Sequence, residues 1–196
     1  MSSSAAPAAI EQGLVDEAAT HALARMLAAV ARPGDVVALR GDLGLGKTSF
    51  ARAFIRAFID APDEEVPSPT FTLVQTYAGG RGTVWHVDAY RLEDPEEAVE
   101  LGLEEALSEG VMLIEWPERL GAALPADRLD VALLPGASPT ARLARLTSAG
   151  ATDWTTRLAP LHGGFDTTCP SPPLGDGTAL EGENADRDHN EKGGAP

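Results

Sequence analysis

The spacing of apolar residues changes along this chain from a helical period to an alternating one and back, the pattern of an α/β domain. Leu14, Ala18, Ala22, Met26 and Ala29, with Leu23 and Leu27 beside them, recur at helical spacing. A helix is therefore expected from Leu14 to Ala31, ended by Arg32-Pro33-Gly34-Asp35. Val36-Val37-Ala38-Leu39 is a β-rich apolar run, and Ser49 to Ile59 carries Phe50, Phe54, Ile55 and Phe58 in helical register. Phe71 to Tyr77 and Thr83 to Val87 read as strands of a hairpin turning at Ala78-Gly79-Gly80-Arg81-Gly82. Pro95 to Leu107 reads as a helix, with Pro95 in the first turn and Glu96 and Glu97 behind it. Val111 to Ile114 has the form of a buried strand, Leu129 to Leu134 and Ala141 to Thr147 of a closing strand pair, and Thr152 to Leu158 of a short last helix. No internal repeat is present. The expected fold is one α/β domain over residues 10–161, a central mixed sheet flanked by helices.

The two ends read differently. Residues 1–9 have the composition of a flexible start, with no basic residue ahead of an apolar stretch, so a secretory signal is not expected. Residues 162–196 hold few bulky apolar side chains and many Gly, Pro and acidic residues. Such a segment buries too little surface to offset its ordering entropy, and a disordered acidic tail is expected. The formal net charge is −15, and the tail contributes seven acids against Arg187 and Lys192. The folded part is acidic too, which argues against stand-alone binding of nucleic acid, where phosphate neutralisation dominates affinity. The single cysteine, Cys169, lies in the tail and excludes a disulfide framework. The longest apolar helix is broken by Arg25 and closed by Arg32-Pro33, so no membrane span is expected and the reading is cytoplasmic.

Gly41-Asp42-Leu43-Gly44-Leu45-Gly46-Lys47-Thr48 fits the phosphate-binding P-loop G-x-x-x-x-G-K-[ST], here between a strand and a helix as that motif requires. The glycines let successive N–H groups turn toward a polyphosphate, and the helix start, with Ser49, adds its positive dipole end. Lys47 is expected at the β/γ-phosphates and the Thr48 hydroxyl on a magnesium ion. A P-loop enzyme also needs an acid at the end of a neighbouring strand. Glu115, after Val111-Met112-Leu113-Ile114, and Asp88, after Thr83 to Val87, both fit that position. Pro67-Ser68-Pro69-Thr70-Phe71 is stiffened by two prolines and presents two hydroxyls, either as a turn into a strand or as a nucleotide-sensing loop. An extended His86-Val87-Asp88-Ala89-Tyr90 would put His86, Asp88 and Tyr90 on one face.

Five segments occur in order: the P-loop, Ser68-Pro69-Thr70-Phe71, His86-x-Asp88-x-Tyr90-Arg91-Leu92, Leu101-Gly102-Leu103-Glu104 and Ile114-Glu115-Trp116-Pro117-Glu118. In this the chain resembles the TsaE family, small P-loop ATPases of bacterial tRNA threonylcarbamoyladenosine biosynthesis. The likeness runs from the first helix to about Pro125. It implies a P-loop NTPase domain that binds ATP and Mg2+, joins TsaD and TsaB, and meets tRNA only through that complex. There ATP hydrolysis would support threonylcarbamoyl transfer to the adenosine beside the anticodon, without this chain being the transferase. By position, the resemblance assigns Lys47 and Asp88 to catalysis and Thr48 and Glu115 to the metal. It assigns Gly41 to Ser49 to the nucleotide, Thr20 to a base contact near the first helix, and Ser68 and Thr70 to a switch-like loop. Trp116 follows the metal acid as the family pattern expects.

Other P-loop classes fit less well. A GTPase needs an N-K-x-D clamp, yet the asparagines are Asn184 and Asn190, both in the tail. A small-molecule kinase needs a second-substrate site, often under an Arg-rich lid, whereas Ala61 to Val66 is acidic. A nucleotide-gated assembly module without turnover is the remaining alternative. No internal arginine finger stands out apart from Arg91, so hydrolysis is expected to be weak alone and raised by partners.

Overall fold

The computed structural model describes residues 9–93, 97–98, 102–103, 107 and 110–159. Strands β1 (Ala9–Leu14), β2 (Val36–Arg40), β3 (Val74–Gly79), β4 (Gly82–Asp88), β5 (Gly110–Glu115), β6 (Arg128–Pro135) and β7 (Arg142–Ala149) form one sheet. Their order is β1-β7-β6-β2-β5-β4-β3. The inner strands β6, β2, β5 and β4 run parallel, while β3, β7 and β1 pair antiparallel toward the two edges. The sheet is therefore mixed, as expected.

Burial on both faces explains the continuous apolar runs of the central strands. On β5, Val111 and Leu113 join one core and Met112 and Ile114 the other. β2 divides in the same way, with Val37 and Leu39 on one side and Val36 on the opposite side. On the first side lie helices α1 (Glu17–Val30) and α2 (Lys47–Ile59). Leu23 and Leu27 of α1 and Phe50, Phe54 and Phe58 of α2 are each at most 1% exposed. Burying each such side chain stabilises the fold by about 2–3 kcal/mol. The short helix α3 (Trp154–Leu158) closes this layer against α1 through Trp154 and Leu158. On the second face Val36, Val87, Met112 and Ile114 of the sheet pack with Ala89, Leu92 and Leu120, the last from a 3-10 segment, Pro117–Ala123.

The structure moves several boundaries. The first helix starts at Glu17, because the Asp16 carboxylate accepts the Ala19 N–H at 2.8 Å and caps it. Leu14 belongs instead to β1, a strand absent from the local pattern, whose ladder depends on pairing with β7 more than 120 residues later. The strand expected from Phe71 begins at Val74: Leu73 takes a left-handed φ of 63° and its N–H bonds the Pro69 carbonyl at 2.6 Å. Phe71 is thereby left 81% exposed. α2 starts two residues early, at Lys47, and α3 two residues late, where Asp153 caps it through the Thr156 N–H at 3.0 Å. The expected helix over 95–107 falls largely outside the described residues, as do residues 1–8 and the tail 162–196.

Candidate functional site

Because β2 is flanked by parallel neighbours, its carboxyl end delivers the glycine loop to the middle of the sheet edge, the usual ligand position in open α/β sheets. Gly41 has φ +133°, and a Cβ there would lie 2.4 Å from the Leu133 carbonyl oxygen, so only glycine lets the loop leave between β2 and β6. Gly46, at φ +99°, is the left-handed residue from which α2 starts. The Lys47 ammonium, 5% exposed as a residue, donates to the Gly41 and Asp42 carbonyls at 2.6 and 2.9 Å. It also lies 3.7 Å from the Trp116 ring centroid. Desolvation holds its pKa below the usual lysine value of 10.5, while Glu115, Glu118, Asp88 and Asp42 pull it back up.

Asp88 and Glu115 are direct register partners at the ends of β4 and β5, both almost fully buried. The Thr48 hydroxyl donates to Glu115 Oε2 at 2.8 Å. Glu115 Oε1 meets Nε2 of the fully buried His86 at 2.9 Å, and among the described residues no partner takes His86 Nδ1. Asp88 Oδ2 accepts both the Ser68 and Thr70 hydroxyls, at 2.9 and 2.7 Å, while Oδ1 accepts the Tyr90 N–H at 3.1 Å. One carboxylate thus ties the two-proline loop to the end of β4. Trp116, at φ +58°, packs its ring 5.0 Å from that of Tyr90. Such a φ is strained for an aromatic residue, and here it holds the indole under Lys47.

These groups line a cleft of about 330 Å³ that brings Lys47, Thr48, Ser49, Ser68, Thr70, Asp88 and Glu115 together. Leu43 stands at its rim, 79% exposed. Beyond Gly44 and Gly46 a second hollow of about 440 Å³ is lined by Thr20, Pro139, Thr140 and Arg142. Thr20 therefore lies near the loop, although its hydroxyl bonds the Asp16 carbonyl at 3.3 Å. Arg142 reaches the Leu45 carbonyl at 3.3 Å and supports the loop from β7. Arg91 is not at the cleft; its guanidinium lies 4.2 Å from the Phe71 ring centroid. Pro139, Thr140 and Arg142 carry no local motif, because only the strand order brings the β6–β7 turn beside the loop. His86 is visible as a motif residue, but its bond to Glu115, two positions beyond its register partner Leu113, exists only once β4 and β5 pair.

Among the described residues no group of three or more His, Cys, Asp or Glu side chains is arranged to hold a metal. The cleft offers oxygen donors, among them the Thr48, Ser68 and Thr70 hydroxyls and the Glu115 and Asp88 carboxylates. That set suits magnesium, a hard cation that keeps water ligands and shares its site with substrate phosphates.

A strand, glycine loop and helix at the carboxyl edge of a mixed sheet, with buried acids on adjacent strands, define a P-loop α/β protein of the nucleotide-binding class. The family model described as "Threonylcarbamoyl adenosine biosynthesis protein TsaE" matches residues 14–142. The chain belongs to the TsaE family, whose members serve tRNA threonylcarbamoyladenosine biosynthesis. It is 46% identical over 120 residues to the TsaE protein of Rickettsia bellii, a match covering 61% of this chain and 83% of that one. With TsaE of Bacillus subtilis it shares 42% over 115 residues, 58% of this chain and 70% of the relative. The fold is similar to the crystal structure of YdiB from Bacillus subtilis, with TM-score 0.68 and 30% identity over 82% of this chain and 99% of that one. No helix among the described residues is long and apolar enough to cross a membrane.

Proposed function

We propose that this chain is an ATPase that binds ATP with Mg2+ and acts inside a complex with TsaD and TsaB. Its turnover would support threonylcarbamoyl transfer to the adenosine beside the tRNA anticodon. The observation that carries this reading is the Thr48–Glu115 pair, a hydroxyl and a buried carboxylate 2.8 Å apart directly behind the P-loop lysine. Thr48 and Glu115 would hold magnesium, which when bound would supply neutralisation of phosphate charge. Lys47 and the amides of Gly41 to Ser49 hold the polyphosphate, and Lys47 stabilises the charge that develops on transfer. Asp88, held on the cleft side of β4, orients the attacking water or accepts its proton. Ser68 and Thr70 report nucleotide state through their shared bond to Asp88. The hollow beside Thr20, Thr140 and Arg142 receives the nucleoside end. Among the described residues no arginine lines the cleft, so turnover is slow until partner proteins complete the site.

The test is ATP turnover by the purified chain, alone and with TsaD, TsaB and tRNA, comparing wild type with Lys47→Ala and Glu115→Ala. Stimulation by the complex that both substitutions abolish is the expected result. Phosphate passed to a metabolite without stimulation would mark a kinase instead. Assembly without turnover would mark a nucleotide-gated module.

A further inference from the structure

A hollow beside α2 is larger than the cleft. It is a groove of about 520 Å³ between α1 and α2, on the outer side of the helix layer. Arg25 projects into it from α1, and Arg52 and Arg56, four residues apart on α2, from the other wall. Arg52 Nε donates to the Val66 carbonyl at 2.7 Å and Arg56 Nε to the Glu64 carbonyl at 2.8 Å, so both guanidinium groups are held in place by one N–H. Elsewhere Arg40, Arg128, Arg145 and Arg157 each lie within 3.2 Å of a carboxylate. Among the described residues Arg25, Arg52 and Arg56 form no such pair. Of the two acids at the groove, Glu17 is engaged by Ser49 at 2.5 Å, and Asp60 sits at the far end of α2. His21 lies between, bonded to Ser49 at 2.7 Å. A positively charged groove with Ala53 and Ala57 in its wall thus interrupts a chain of net charge −15.

We propose that the occupant is this chain's own acidic segment, residues 181–191. That stretch carries Glu181, Glu183, Asp186, Asp188 and Glu191 against Arg187 alone, complementary in sign to the three arginines. The chain leaves the described structure from α3, which packs on α1, in the same layer as the groove. Helix α1, with 14 residues, is about 21 Å long, so the groove starts within about 20 Å of that exit. The 22 residues from 160 to 181 can span up to about 70 Å, well beyond the need. Covalent attachment makes the encounter intramolecular and favours it over free anions. Glu17 and Ser49 line both the groove and the hollow beside the P-loop, so a docked segment borders the nucleotide site.

The experiment uses the full chain with Cys169→Ser and Ala185→Cys, a spin label at position 185, and intensities of backbone amides. At about 10 mM salt, where the Debye length is about 30 Å, Arg25, Arg52 and Arg56 should lose intensity while Leu120, across the sheet, keeps it. About 1 M salt should restore the signals. So should neutralising the segment with Glu181→Gln, Glu183→Gln, Asp186→Asn, Asp188→Asn and Glu191→Gln. No loss, or equal loss at Leu120, overturns the proposal. Loss only between a spin-labelled molecule and a separate isotope-labelled one assigns the groove to a second copy and also overturns it. Shifts at the groove on adding a short single-stranded RNA, with the tail label silent, assign it to an external polyanion and overturn the proposal as well.

Discussion

Replacing Asp88 tests whether one carboxylate closes the two-proline loop over the cleft. Its oxygens accept three bonds, from the Ser68 hydroxyl, the Thr70 hydroxyl and the Tyr90 N–H. Ser68 and Thr70 are half-buried, so water partly replaces what they lose, and each bond is worth about 1 kcal/mol net. We predict that Asp88→Ala lowers the opening free energy of residues 67–73 by about 3 kcal/mol, or about a hundredfold in opening equilibrium. Asp88→Asn keeps one oxygen for the two hydroxyls but turns an NH2 toward the Tyr90 N–H, losing about one bond and about fivefold. The assay is amide hydrogen exchange, read at Leu73, whose N–H is held by the Pro69 carbonyl. Unchanged exchange at Leu73 in Asp88→Ala would refute the latch, as would equal effects of Ala and Asn.

Three further outcomes follow from other contacts. Gly41→Ala places a Cβ 2.4 Å from the Leu133 carbonyl at φ +133°, so a loss of about 1–3 kcal/mol is expected in urea unfolding, with weakened ATP binding. Lys47 has a lowered folded pKa, so between that value and 10.5 the unfolded chain holds the extra proton and stability rises with pH. Lys47→Met should therefore melt no lower than wild type at pH 7 without nucleotide, the difference shrinking toward pH 10.5, while ATP binding is lost; a fall of several degrees would contradict this. Arg157 bonds both oxygens of the buried Asp35 at 2.9 and 2.7 Å, and Arg157→Gln should cost about 1–3 kcal/mol in the same urea assay.

Most of the architecture is legible in the sequence because its signals are local. Val36 to Leu39 and Val111 to Ile114 are continuous apolar runs because helices cover one sheet face and a second apolar cluster the other. The helix boundaries are less legible. Asp16 is a common capping residue, yet the apolar spacing extends past it to Leu14, and only the pairing with β7 decides where the strand stops. Phe71 has the character of a strand residue because aromatics favour strands. The left-handed turn at Leu73, closed by the Pro69 carbonyl, turns it outward.

By itself the sequence determined the P-loop motif, its strand and helix, and the identities of the acids, since eight consecutive residues spell that motif and five ordered segments mark the family. Spacing could not choose between Glu115 and Asp88, because both end strands. Tertiary structure separated their contacts: β4–β5 register aligns them, Glu115 meets Thr48 and His86, and Asp88 meets the loop hydroxyls. The Thr140 and Arg142 wall and the arginine groove arise the same way, from elements brought together by strand order and helix packing. Contacts across tens of residues depend on the assembled sheet, and no local pattern encodes them.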